Sequence, residues 1–258
     1  MVTAGLVASV LTLPPALAVL WVYLGRYEGH FAQNRLFFAL IVGIFAGIVL
    51  RFAELNFFGF ESAQMIAVLG GGRTGLLLSL LYTALGYAML HGLLAAAVVG
   101  LKRFRTRKDT PYYGASLGLG FGAMWSLTFV EQTLARTWPN GLEFGGNAWI
   151  IDLGLLLGSV GLVLAHGAAF TWVGKGAAEG RLWKGAGWGA LWLAPALGAY
   201  WVFVSYSQSL LPIAGMLAWG AIAILQADKR VLDPIVPPEL RDKLRKGRRR
   251  DARQKSRE

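Results

Sequence analysis

Six ionisable side chains interrupt the apolar stretches of the sequence, and they include the acids, bases and ligands that enzymes use. They are Arg51, Glu54, His91, Glu131, Asp152 and His166. Because a charged group within lipid is costly, such residues are the default functional candidates wherever an apolar segment spans a membrane. Carboxylate and imidazole groups together could transfer protons or bind a metal ion.

Four of these residues are predicted to form an outer polar layer. Arg51 and Glu54 stand three residues apart, which places them one turn apart on one helix face. Glu131 and Asp152 stand near the predicted outer ends of two later helices. We expect a cluster of salt bridges or hydrogen bonds near the membrane interface. The functional alternative is a polar vestibule for a substrate or an ion.

The two histidines are predicted to lie deeper. At about 1.5 Å rise per residue, His91 lies about 15 Å and His166 about 11 Å from the inner ends of their helices, so contact between them is allowed. Two histidines are half of a zinc site, but we expect neither a carboxylate nor a third histidine at that depth. The sequence therefore predicts an interhelical hydrogen bond, and no metal or other cofactor. The last apolar run has no deep lysine for a retinal Schiff base.

The elements that must position these residues are predicted to be transmembrane helices. The chain has 258 residues, of which 55% are hydrophobic and 15% are charged, so a polar surface for a soluble globule is missing. A helix of about 20 apolar residues crosses a bilayer, and open backbone cannot face lipid. The fold class is therefore an all-α bundle of seven transmembrane helices. The runs are Val2–Leu24, Leu36–Phe58, Gly75–Leu101, Tyr112–Leu134, Ala148–Val173, Gly185–Val204 and Ser209–Ala227.

The charges of the connecting segments predict one orientation. Basic residues are concentrated in the first, third and fifth loops and in the C-terminal tail, whereas the even-numbered loops hold only Arg73 and Arg136. Positive residues stay on the cytoplasmic side. The sequence therefore predicts an N-terminus outside, a C-terminus in the cytoplasm and an odd number of spans. We expect an integral protein of a prokaryotic plasma membrane.

The C-terminal tail is predicted to be a separate segment. Residues 1–228 form the predicted membrane domain, and residues 229–258 carry 12 of the 25 basic residues. Pro234, Pro237 and Pro238 interrupt a continued helix, and the charged remainder is predicted to be disordered. We expect the tail to lie on anionic lipid, with membrane lipids as its partners. RNA or a ribosome is the alternative partner.

Glycines in the fourth predicted helix repeat at a spacing that favours close helix packing. Gly114, Gly118 and Gly122 stand four residues apart, which produces a groove without side chains. The segment Tyr112–Gly122 resembles the glycine-repeat helix of the APH (anterior-pharynx-defective) subunit of γ-secretase, and Leu164–Phe170, Glu179–Trp183 and Ser209–Ile213 resemble later parts of it. The resemblance covers about Pro111–Ile224. It implies a non-catalytic scaffold that holds a presenilin-like protease through Gly114, Gly118, Gly122 and His166.

The early part of the chain resembles intramembrane proteases of the PrsW and YhfC type, and the two resemblances imply one superfamily. The carrying residues are Leu13–Tyr23 and the run Arg26-Tyr27-Glu28. Those proteases have paired glutamates on the third helix, where this chain reads Tyr87-Ala88-Met89-Leu90-His91, and a glutamate on the fourth, where this chain has Trp125. Of the family's two later histidines, His166 matches the first, and the second is missing around Trp192–Gly198. These departures imply a degenerate protease site, that is, a pseudoenzyme.

Three functions follow as hypotheses. The first is a non-catalytic scaffold that binds the transmembrane helices of a partner, for which the glycine groove and the missing glutamates are the reasons. The second is an intramembrane protease with altered ligands, using His91, His166 and Glu131. The third is a small-solute transporter that uses the outer polar layer, although inverted repeats, which many transporters have, are not evident.

Overall fold

The chain folds into helices connected by short segments. The computed structural model describes residues 12–54, 56, 73–137, 148–205 and 211–236. Seven helices occur in this part of the chain, and none of its residues forms a strand, which confirms the all-α prediction there. They are α1 (residues 12–19, continuing as the π-helical turn Leu20–Leu24), α2 (Gln33–Ala53), α3 (Arg73–Val99), α4 (Thr110–Thr137), α5 (Ala148–Ala178), α6 (Leu182–Ser205) and α7 (Leu211–Ala227).

Four stretches are long and apolar enough to cross a membrane. They are Gln33–Ala53, Leu80–Val99, Leu153–Ala178 and Leu211–Ile235, and Thr12–Val22 is a shorter apolar helix. On α2 the residues that point out of the bundle are large and apolar, for example Phe37, Ile41 and Phe45. Such a surface is stable in lipid and costly in water. The protein is therefore a membrane protein with transmembrane helices.

Helix α4 is the centre of the bundle, which explains why it is glycine-rich rather than strongly apolar. Every residue from Thr110 to Ala123 is buried, because α2 covers one side of α4 and α5 covers the other. A Cβ added to Gly120 would overlap the carbonyl oxygen of Leu40 on α2. One added to Gly114 would overlap the carbonyl oxygen of Phe170 on α5. Since α4 touches protein on all sides, it needs small residues for backbone contact and few side chains for lipid.

One end of the bundle collects the basic segments. The Tyr27 hydroxyl after α1 donates to Asp228 after α7, the backbone N–H of Ala32 donates to the Tyr113 hydroxyl over 3.0 Å, and the Thr106 N–H donates to the Ala177 carbonyl over 3.2 Å. These contacts bring together the ends of α1, α2, α4, α5 and α7. We call this the basic end, and define it by Lys102, Arg103, Arg105, Arg107, Lys108, Lys175, Arg181, Lys184, Lys229 and Arg230.

The boundary predicted at residue 228 is not marked by a break in the structure. The chain continues through a π-helical turn, Asp228–Leu232, and a short α-helical turn, Asp233–Ile235. Val231, Leu232 and Val236 are buried against the bundle. Residues 229–236 therefore belong structurally to the helical domain, and the remaining tail, 237–258, lies outside the described residues.

Candidate functional site

The last turn of α2 supplies an ion pair to the interior of the bundle. Arg51 and Glu54 are both fully buried, and Nη1 of Arg51 lies 3.4 Å from Oε2 of Glu54. Nη2 of Arg51 donates to the hydroxyl of Tyr200 on α6 over 3.3 Å. The predicted contact between Arg51 and Glu54 is therefore confirmed, and it includes a partner from a distant part of the chain.

Glu54 does not lie in a separate layer from the histidines, so the two-layer prediction is wrong. Oε1 of Glu54 lies 2.7 Å from Nε2 of His91 on α3, and Nδ1 of His91 lies 3.1 Å from Nε2 of His166 on α5. All three side chains are fully buried. The expectation that no carboxylate accompanies the histidines is wrong for the same reason.

The directions of the helices bring Glu54 closer to His91 than their positions along the helix axes indicate. Helix α2 begins at the basic end, whereas α3 ends there, so the two run in opposite directions. Helical side chains lean toward the N-terminus of their own helix. Glu54 therefore leans toward the basic end and His91 leans away from it. The two side chains therefore lean toward each other, in the direction that their 2.7 Å contact requires.

Trp125 completes the surroundings of the carboxylate, and sequence reasoning did not place it in the site. Its indole Nε1–H donates to Oε2 of Glu54 over 2.7 Å, and the guanidinium of Arg51 lies 5.0 Å from the ring centroid. The rings of His91, His166 and Tyr200 pack around it, with centroids between 5.0 and 5.7 Å away. Trp125 thereby contacts a carboxylate that the end of α2 supplies.

We call this group of six side chains the polar centre, and define it by Arg51, Glu54, His91, Trp125, His166 and Tyr200. Its members come from α2, α3, α4, α5 and α6. Tyr200 had no sequence signal, since one tyrosine in an apolar run is usual. Trp125 had one, because it occupies a position at which the resemblance expects an acid.

The hydrogen bonds of the polar centre fix where its hydrogens lie. The Leu162 carbonyl can only accept, so Nδ1 of His166, 2.8 Å away, carries a hydrogen and donates it. Nε2 of a neutral His166 then accepts from Nδ1–H of His91. The third contact, between Nε2 of His91 and Glu54, needs another hydrogen. A carboxylate and two neutral imidazoles supply only two. The row of three bonds is complete when Glu54, His91 and His166 share one additional proton.

The polar centre has its polar atoms engaged by the protein. Glu54 uses Oε1 for His91 and Oε2 for Trp125 and Arg51. Both ring nitrogens of His91 and of His166 also have partners. His91 lies between the other two groups, so the three do not converge on one point. Within the described ranges no group of three or more His, Cys, Asp or Glu residues could hold a metal ion.

Two of the predicted site residues remain untested. Glu131 lies in α4 and Asp152 lies in α5, but their side chains are outside the described part of the structure. The outer cluster that was predicted to include them is therefore represented only by Arg51 and Glu54. The structure assigns that pair to the polar centre, in contact with His91.

The glycine groove of α4 is filled by the chain's own α5. An added Cβ at Gly118 would overlap the carbonyl oxygen of His166, and one at Gly122 would lie 3.0 Å from the Cα of Val163. Gly114 meets Phe170 in the same way. The predicted close packing of a helix in this groove is confirmed, but the helix is α5 and not that of a partner. The groove thereby sets the position of His166.

Comparisons with known proteins supply no relative from which a role could be transferred. No protein-family model matches the chain, and no match was found among curated proteins or among solved structures.

Proposed function

We propose that the protein is a non-catalytic membrane scaffold that binds transmembrane helices of a partner protein. In this proposal seven helices span the membrane, the N-terminus is outside and the basic end is cytoplasmic. The observation that carries it is the closed hydrogen bonding of Glu54, whose two oxygens contact His91, Trp125 and Arg51. A general base must reach the proton that it removes, and this carboxylate is occupied by the protein itself.

The resemblance to the APH subunit of γ-secretase supports the same proposal. That subunit is a scaffold, and this chain has Trp125 where the resembled proteases have a glutamate and lacks the paired glutamates that they carry before the position of His91. The polar centre then has a structural role, because it links five helices through buried hydrogen bonds. A presenilin-like protease is the class of partner that this resemblance favours.

Partner helices would bind the outside of the bundle, since α5 fills the glycine groove. The candidate surface is the outer face of α2, where Phe37, Ile41, Phe45, Val49 and Phe52 are exposed. Within the described chain α2 packs mainly on α4, so this face has no cover from the protein itself. Packing of these phenylalanine rings against another helix would stabilise the association, because van der Waals packing and not the exclusion of water drives helix association in lipid.

Affinity purification from the native membrane in a mild detergent tests this proposal. We expect a second membrane protein to copurify with the wild type. Val49→Trp on α2 should remove it, whereas Leu225→Trp on α7 should not; the two positions are matched, with 65% and 64% exposure. Recovery of the wild type only as a lone monomer would count against the scaffold. If both variants lose the partner equally, its binding does not depend specifically on the outer face of α2.

The proposed orientation has a separate test, because the chain contains no cysteine. Single cysteines introduced as Thr3→Cys and Glu179→Cys can be labelled in intact cells with a maleimide that does not cross membranes. We expect labelling of Thr3→Cys from outside, and labelling of Glu179→Cys only after the membrane is opened. Labelling of both from the same side would contradict an odd number of spans between them and the proposed topology.

An intramembrane hydrolase is the second candidate, and one contact favours it. Glu54 and His91 form a carboxylate–imidazole pair at 2.7 Å, which is the pairing that general acid–base catalysis uses. For that reaction Glu54 would have to exchange one protein partner for water. Purified protein in proteoliposomes should then cleave a transmembrane peptide, and Glu54→Gln should abolish cleavage while Glu179→Gln does not. Equal rates for both variants would remove this candidate.

A further inference from the structure

A cavity at the basic end has the lining of an anion site. It has a volume of about 250 Å³ and lies between the end of α5, the start of α6 and the segment that follows α7. Four cationic side chains line it, namely Lys175, Arg181, Lys184 and Arg230. One carboxylate, that of Glu179, also lines it. Nζ of Lys175 lies 3.9 Å from Oε1 of Glu179. The lining therefore carries a positive excess of three charges, which an anion would stabilise.

The backbone explains why the cations converge. Gly180 has a φ of +70°, a left-handed turn that reverses the chain between α5 and α6. The two helices then meet at Gly176 and Gly185, where an added Cβ on Gly176 would lie 2.6 Å from the Cα of Gly185. Helices in backbone contact bring the side chains of their flanks together. Arg181 and Lys184 both line the cavity, because they are three residues apart at the start of α6 and therefore lie on the same face of that helix.

The other wall of the cavity is aromatic. Trp172 on α5 and Trp188 and Trp192 on α6 line it, and the ring centroid of Trp172 lies 6.1 Å from that of Trp188 and 6.5 Å from that of Trp192. The stack continues to Trp219 on α7, at 5.5 Å from Trp192. Trp188 and Trp192 are one helical turn apart, so the wall runs from the charged rim along the bundle. Tryptophan is enriched at this level of a membrane, where one side is wet and the other is apolar.

A charged rim above an apolar wall fits a ligand that has both parts. We propose that this cavity binds the phosphate headgroup of one anionic phospholipid, with an acyl chain along the tryptophan wall. The volume is below the range of about 300–1,000 Å³ that encloses drug-sized ligands, which favours a headgroup over a larger cofactor. Basic pockets between helices at a cytoplasmic surface are a known form of lipid recognition. A free phosphate would use the cations and leave the aromatic wall without a role.

Native mass spectrometry of the full-length protein tests this site. The protein is titrated with phosphatidylglycerol, with phosphatidylcholine of the same chains, and with glycerol 3-phosphate as a headgroup without chains. We expect one phosphatidylglycerol to bind preferentially. The double variant Lys184→Gln/Arg230→Gln should weaken its binding about 30-fold, since two cations near the surface are lost. The control Lys102→Gln/Arg105→Gln removes two exposed cations from the same end but outside the cavity, and should leave binding within a few-fold.

The other outcomes decide against the site. Equal weakening by the two double variants would mean general attraction to the basic end, not a specific pocket. Equal affinity for phosphatidylcholine would remove the charge argument. If glycerol 3-phosphate binds as tightly as the lipid, the ligand is a soluble phosphate compound and the proposal of a lipid is wrong. Trp188→Ala should weaken the binding of phosphatidylglycerol but not that of glycerol 3-phosphate. An unchanged affinity for phosphatidylglycerol would contradict the role of the aromatic wall.

Discussion

The Nδ1 atom of His91 lies 3.1 Å from the Nε2 atom of His166, although the two residues are 75 positions apart in the chain. This contact joins α3 to α5, and the bond from His91 to Glu54 extends it to α2. Such groups in the membrane interior require partners, since water is not available there to satisfy them. The two hydrogen bonds therefore fix α2, α3 and α5 relative to one another. Their contribution to the free energy of folding requires all three helices to be correctly placed.

Replacing Gly118 by alanine should destabilise the fold. The added methyl group would overlap the His166 carbonyl oxygen, and α4 cannot move away because α2 lies on its other side. We expect a loss of about 1–3 kcal/mol in the free energy of unfolding, as for other overpacked sites. Gly187→Ala is the control, since no atom lies within 4 Å of a Cβ at that helical position. It should be neutral or slightly stabilising. Thermal unfolding in detergent measures both, and equal effects would contradict the tight α4–α5 contact.

Replacing Trp125 by phenylalanine should weaken the polar centre while it retains most of the packing. The variant loses the indole donor to Oε2 of Glu54, a bond to a charged group worth about 1.5–3 kcal/mol. Trp188→Phe is a matched control at an exposed position on α6, and it should change the unfolding free energy little. An unaltered stability of Trp125→Phe would mean that the indole hydrogen bond contributes nothing.

The tautomers of the histidines should follow from the hydrogen bonds. The chain has three histidines, and His30 near the basic end serves as an internal reference. Nitrogen NMR of histidine-labelled protein should show Nδ1 of His166 carrying a hydrogen, because the Leu162 carbonyl accepts from it. It should also show one additional proton shared among Glu54, His91 and His166. Detection of a bare Nδ1 on His166 would show that this hydrogen bond is absent.

The helical part of the fold could be predicted from the composition and the apolar runs of the sequence. Runs of apolar residues predicted seven helices, and seven helices are found in the described residues, four of which contain stretches long and apolar enough to cross a membrane. The spacing of Gly114, Gly118 and Gly122 predicted a helix contact, and the structure has one. Spacing could not identify the helix involved, because a groove of glycines fits a neighbour in the same chain as well as it fits a partner.

The polar centre could be predicted only in part. The types and burial of Arg51, Glu54, His91 and His166 follow from charge within apolar runs. Their joining into one network depends on which helices pack together and on the lean of side chains, and the rise per residue contains neither. Trp125 entered the network because its indole donor meets a carboxylate from another helix. A single sequence shows no such long-range pairing.

Loss of the Glu54 charge should be more costly than loss of an exposed carboxylate. Glu54→Gln removes the negative charge that the buried Arg51 contacts, and breaking a buried pair typically costs about 3–5 kcal/mol. The comparison is Glu179→Gln, at which a half-exposed side chain faces Lys175 at 3.9 Å and little change is expected. Chemical unfolding in mixed micelles gives both values. A Glu54→Gln variant as stable as the Glu179→Gln variant would contradict an ion pair in the interior.

The coupling between Glu54 and His91 tests the central claim most directly. A double-mutant cycle with Glu54→Gln, His91→Gln and the combined variant measures their interaction in the free energy of unfolding. A cycle between Glu54 and Lys102, which is exposed at the basic end, is the control and should be additive within about 0.5 kcal/mol. We predict a coupling of at least about 1 kcal/mol for Glu54 with His91, since the two form a charge-assisted hydrogen bond. Additive effects of the Glu54 and His91 substitutions would contradict the polar centre.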